Sequence, residues 1–189
     1  MKKFTTMMFA AAVILVANTS FAQTNKMSSD KTVMVGGAAM YPTKDIVSNA
    51  VNSKDHTTLV AAVKAADLVA TLQSAGPFTV FAPTNEAFNL LPAGTVDNLL
   101  KAENKATLTT VLTYHVVAGK LSAMEIMDMI KAGNGKATVK TVAGEDLTLS
   151  MKGKKVAITD EKGGIAYVTI ADVNQSNGVI HVIDHVLLP

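Results

Sequence analysis

The 189-residue chain contains no cysteine, no tryptophan and no arginine. Without cysteine there is no disulfide framework, no thiolate chemistry and no lipid attachment at a processed N-terminal cysteine, so the folded chain must hold together by burial alone. A domain of about 150 residues buries roughly 70% of the surface that its unfolded chain exposes, which makes this feasible. Without arginine, the guanidinium-to-phosphate pairing that dominates nucleic-acid recognition is missing. Long apolar runs are scarce as well. The stretch Met7–Ala17 stands out, and it falls short of the roughly 20 apolar residues needed to span a bilayer.

That run sits between Lys2-Lys3 and Ser20-Phe21-Ala22, a positive start, an apolar centre and small residues at a cleavage site. This is the pattern of a secretory signal peptide cut after Ala22, with a retained anchor as the alternative that its length argues against. The expected location is secreted or periplasmic, with no membrane insertion after cleavage. Of the 17 basic residues two fall in residues 1–22, and 17 less 2 leaves 15 lysines against 15 Asp and Glu. The mature chain is therefore formally neutral, which argues against nucleic acid and against a basic patch for membrane surfaces.

Residues 23–39 are polar and without sustained periodicity, and read as a leader to a single domain at 40–189. The next hundred residues carry mainly helical spacing. Thr43 is placed to cap a helix bearing Ile46, Val47, Ala50 and Val51. Thr57 or Thr58 opens a second that runs toward Leu72, and Gly76 stands where a helix-ending glycine belongs. The segment 77–83, PFTVFAP, alternates as a short strand between prolines. Short helices follow around 86–90, 95–100 and 105–113. Ser122-Ala123-Met124-Glu125 forms a capping box for a helix that stops before Gly133. From residue 137 the period becomes two, with strands separated by AGED, KGK and DEKGG at hairpin spacing. Helices first and antiparallel strands last make an α+β chain.

His181 and His185 stand four apart around Asp184. On a helix that spacing lets two rings share one ion. The intervening Val182 and Ile183 favour a strand, where four residues span roughly 13 Å and no zinc can be shared. His181 then reads as a packed, hydrogen-bonded core residue, and His185 with Asp184 as solvated. Tyr114-His115 has the chemistry of a proton relay, yet no nucleophile motif accompanies it. The alternative is a half-buried pair bonded to backbone. Gly133-Asn134-Gly135-Lys136 lacks full phosphate-loop spacing, and Asp160-Glu161 lacks further calcium ligands. Met124 and Met127 share a helix face suited to an irregular groove. No metal, cofactor or catalytic residue is expected.

Three stretches in order resemble the fasciclin (FAS1) domain family: GPFTVFAPTNEAF (76–88), YHVV (114–117) and NGVIHVIDHVLLP (177–189). The resemblance covers about residues 36–189. It implies a two-sheet β-wedge flanked by a bundle of short helices, with GVIHVID as a core strand and Thr84 and Asn85 capping the corner after FAP. It also implies adhesion. Family members bind matrix, cells or glycans, and animal relatives are linked to integrins through the Tyr-His segment and an Asp-Ile pair. Here Tyr114 and His115 match the first. Asp172 matches the second, with Val173 in place of isoleucine. The expected protein is an exported, non-catalytic adhesion or matrix-associated module whose partners are cell-surface or matrix proteins or glycans, and self-association would supply avidity. The alternative is a secreted binding protein for a small apolar or glycan ligand.

Overall fold

The computed structural model describes residues 31–189. The expected signal peptide and the first part of the leader lie outside these residues. Within the described chain, the reading of 23–39 as a leader fails for its later part. Strands β1 (Val33–Val35) and β2 (Ala38–Met40) form an antiparallel hairpin. Gly36 and Gly37 both have positive φ, as a two-residue turn of this hand requires. Val35 and Met40 are buried, so the hairpin belongs to the core.

The helices are short because the chain supplies frequent stops. Helix α1 (Ile46–Ala50) is capped by Asp45, whose carboxylate accepts from Ser48 N at 2.9 Å, and not by Thr43 as its spacing suggested. The helix expected to run toward Leu72 divides into α2 (Thr57–Ala65) and α3 (Val69–Leu72). The break falls at Asp67, whose φ of +57° an aspartate tolerates and whose carboxylate pairs with Lys105. Strand β3 (Phe78–Pro83) leads into α4 (Asn85–Asn89), α5 (Thr95–Leu99), α6 (Lys105–Tyr114) and β4 (Val116–Ala118). Helix α7 (Ala123–Ala132) carries the predicted capping box and ends at Gly133.

The remaining strands are β5 (Lys136–Lys140), β6 (Asp146–Lys152), β7 (Lys155–Thr159), β8 (Ile165–Gln175) and β9 (Gly178–Ile183). Their order across the sheet is β4-β3-β9-β8-β7-β6-β5, antiparallel except for the parallel β3–β9 pair. Strand β8 serves two sheets: its first half pairs with β7 and its second with β9, with register shifts around Ile170 that bend it. A bridge between Val117 and Thr141 ties the two ends together. The product is the two-sheet α+β wedge implied by the sequence.

Two cores result. One, around Phe88, Leu108 and Val182, lies between the sheet and α1–α6; the other, around Phe81, Leu147, Leu149 and Ile158, fills the wedge beneath α7. Strand β9 is buried at all six positions, because helices cover one of its faces and the wedge interior the other. It ends at Ile183, and Asp184 turns the chain out by accepting from Tyr167 N at 2.8 Å.

Candidate functional site

The two histidines in the matching motifs, His115 and His181, are both buried. His115 ends α6. Its Nε2 accepts from Leu187 N at 3.0 Å, so its proton sits on Nδ1, which donates to the Val111 carbonyl at 2.8 Å. His181 on β9 has the opposite tautomer. Its Nδ1 accepts from Asp172 N at 3.3 Å, and Nε2 donates to the Leu121 carbonyl at 2.8 Å. Its ring stacks on Phe81 with centroids 5.9 Å apart. Each imidazole thus uses one nitrogen as donor and one as acceptor, an arrangement that only the neutral ring can make. Burial pushes both pKa values down, that of His115 to about 4.

Tyr114 is wholly buried. Its hydroxyl donates to the Asp146 carbonyl at 3.2 Å and accepts from Glu161 N at 3.1 Å, pinning two hairpin ends, and burial raises its pKa. Asp172 lies within the second β8 register shift, between Ile170 and Val173, with a φ of +57°. Its carboxylate accepts from Ala123 N at 2.8 Å, in the first turn of α7, where a negative charge suits the helix dipole. Val173 is buried. Tyr114, His115 and Val173 therefore have no side-chain surface to offer a partner, and the expectation of direct contact is corrected for these three. Asp172 is half-buried, and Met124, which follows Ala123 on α7, is 69% exposed.

Thr84 caps α4 as expected, accepting from Ala87 N at 3.3 Å. Asn85 does something else. Its Oδ1 accepts from Thr58 N at 3.0 Å and its Nδ2 donates to the Lys54 carbonyl at 2.8 Å, so it caps the neighbouring α2. Sequence reasoning missed Asn177, which accepts from Ile46 N at 3.1 Å and donates to the carbonyls of Leu72 and Ser74 at 2.7 and 3.0 Å. An asparagine directly before a glycine, at the turn into the last strand, was the available signal. It also missed a cavity of about 70 Å³ among Val35, Met40, Ile46, Val63, Leu68 and Ile180, on the helical side of the sheet. Met124 and Met127 are not among its lining residues. Among the described residues no group of three or more acidic or histidine side chains is placed to hold a metal ion.

Residues 54–189 match the family model described as "Fasciclin domain". The chain is 49% identical over 162 residues to Protein sll1483 of Synechocystis sp., covering 86% of this chain and 83% of that one. The chain belongs to the fasciclin family. It is also 38% identical over 143 residues to the immunogenic protein MPB70 of Mycobacterium bovis, covering 73% of this chain and 65% of the relative, just short of two thirds of its length. A solved FAS1 domain pair from the insect cell adhesion molecule Fasciclin I superposes with a TM-score of 0.70 at 17% identity. That likeness spans 79% of this chain and about half, 52%, of the pair, and at this identity it shows the fold.

The fasciclin motifs are thus main-chain anchors. Residues 114–117 join α6 to both sheets, since Phe81 N donates to the His115 carbonyl at 2.9 Å and Val142 N to the Val116 carbonyl at 2.7 Å. Residues 177–189 supply β9 and the Leu187 amide that fixes His115.

Proposed function

We propose that this chain is an exported, non-catalytic adhesion module, secreted or periplasmic, that binds protein or glycan components of cell surfaces or matrix. The observation that carries the reading is that the motif side chains are spent internally. His115 and His181 use both ring nitrogens on main-chain partners, and the Tyr114 hydroxyl both donates and accepts. A proton relay needs a free nitrogen at a reacting group. These side chains instead stiffen a scaffold whose outer surface does the recognition. A protein partner would meet the half-exposed Asp172 edge and the projecting Met124, held in place by the buried motif. Multiple copies, through display or self-association, would supply the avidity that one small site lacks.

The test is attachment of the producing bacterium, and of matrix polymers, to beads carrying the purified chain. Attachment by the wild type and its loss in Met124→Glu, with an unchanged melting curve, is the expected result. Wild-type beads that capture nothing would overturn the proposal. The cavity on the helical side supports a second reading, a binding protein for a small apolar ligand. Its lining is apolar, and cavities of that kind stay dry and accept apolar guests. Stabilisation of the wild type by benzene or a short alkane, abolished in Val63→Phe, would favour it.

A further inference from the structure

The net charge of the mature chain is zero, yet the fold gathers its lysines unevenly. Strands β5, β6 and β7 turn Ala137, Val139, Leu147, Leu149 and Ile158 inward; their alternate residues share the other face and are exposed or half-buried, except Ala157, which is covered. The pairing sets these into rows. Lys136 stands opposite Ser150, Lys152 opposite Lys155, and Thr138, Thr148 and Thr159 form one line across three strands. Lys154 sits in the turn between Lys152 and Lys155. At the other end of the strands Lys140 pairs with Asp146 at 3.4 Å, and Glu161 accepts from Asp146 N at 3.3 Å. Charge is therefore segregated along the sheet.

Directly opposed residues of an antiparallel pair have Cα atoms about 4.5–5.5 Å apart, and like charges so placed destabilise the sheet. Lys152 and Lys155 are placed in this way. Among the described residues neither they nor Lys136 and Lys154 make an ion pair, whereas Lys105, Lys131 and Lys140 do. The sequence thus keeps an uncompensated cationic end where one carboxylate would relieve it. Beside it lies a strip of threonine hydroxyls on stiff, β-branched side chains.

We propose that this face binds an acidic polysaccharide, a polymer of uronate- or sulfate-bearing sugars laid across β5, β6 and β7. Anionic groups meet Lys136, Lys152, Lys154 and Lys155, and sugar hydroxyls exchange hydrogen bonds with Ser150 and the row Thr138–Thr148–Thr159. Lysines on β5 and β7 lie two strand spacings apart, about 10 Å, so an extended chain bridges them. A bilayer fits less well, because the rows of the cationic end carry no exposed large apolar side chain to enter it; the exposed Ile165 stands at the end of the threonine row. Nucleic acid fits less well because arginine is absent from the chain. The proposal rests on the adhesion reading and names a glycan partner for it, at a surface separate from the Asp172 edge.

The experiment measures binding of the full mature chain to polygalacturonate, dextran sulfate, neutral dextran and phosphatidylglycerol vesicles, at low and high salt, with bead attachment scored in parallel. The expected result is salt-sensitive binding to the two acidic polymers and none to dextran. Lys152→Gln/Lys155→Gln should bind roughly tenfold more weakly, two exposed charge contacts being lost. Lys64→Gln/Lys101→Gln, with the same net charge, should bind as wild type does. Thr148→Val should weaken polygalacturonate and leave any vesicle binding unchanged. Equal losses in the two lysine pairs, binding to vesicles alone, or no binding to either acidic polymer overturns the proposal. If polymer binding is absent while wild-type beads still attach, this face is refuted and the adhesion reading stands. If polymer binds and beads do not attach, the face stands and the adhesion reading falls.

Discussion

Acidification tests the account of the buried histidines most directly. His115 has its pKa lowered from near 6.5 to about 4 by burial. Its unfolded form therefore takes up a proton first as pH falls, and stability follows the difference in bound protons. The contribution of this ring is fully present above pH 6.5 and declines through the window down to about pH 4. One pKa unit corresponds to 1.36 kcal/mol, so His115 alone removes about 3 kcal/mol by pH 4. His181 and His56 are shifted the same way by the same cause and add to the loss. Small domains have about 5–15 kcal/mol of total stability, so the His115 loss alone is a substantial fraction of it. The measurement is urea unfolding at a series of pH values from 7.5 to 4.5. The midpoint should fall steadily below pH 6.5 at constant m. His115→Gln should be less stable at pH 7.5 and show a shallower decline. A flat midpoint across the series, or an unchanged slope in His115→Gln, would refute the neutral, doubly bonded ring described above.

Further outcomes follow from the same geometry. A Cβ at Gly178 would overlap the Phe78 carbonyl oxygen across the β3–β9 pair, so Gly178→Ala should cost more than about 2 kcal/mol in denaturant unfolding. Phe81→Ala, at a fully buried ring stacked on His181, should cost about 3–5 kcal/mol. Asp172→Asn keeps an acceptor for Ala123 N and tolerates positive φ, so it should cost less than Asp172→Ala, and hydrogen exchange should report the difference in the first turn of α7. Asn177→Ala strands the Ile46 amide and two carbonyls, and should cost about 2–4 kcal/mol by the same unfolding assay.

Elements whose causes are local were legible in the sequence. The capping box at Ser122, the cap at Thr84 and the alternation of β5 to β7 each depend on residues a few positions apart, so their spacing reports them. The β1–β2 hairpin depends on equally local chemistry. Its strands, VMV and AAM, are three residues long, too short to show a period, and only the first carries β-branched residues. The division of the helix expected toward Leu72 turns on the conformation of Asp67 and its partner Lys105, far along the chain, which no local period encodes.

Composition excluded cysteine and arginine chemistry, the switch from helical to strand periodicity determined an α+β chain, and three ordered motifs tied it to the fasciclin fold. Burial and registry were left to tertiary structure, because each is a property of what a residue meets after folding. Tyr114 and His115 look like a surface motif in one dimension, and three elements close over them. Neutrality suggested that no basic patch existed. Charge balance counts residues without regard to place, and only strand pairing decided that Lys152 and Lys155 stand opposite one another with no carboxylate beside them.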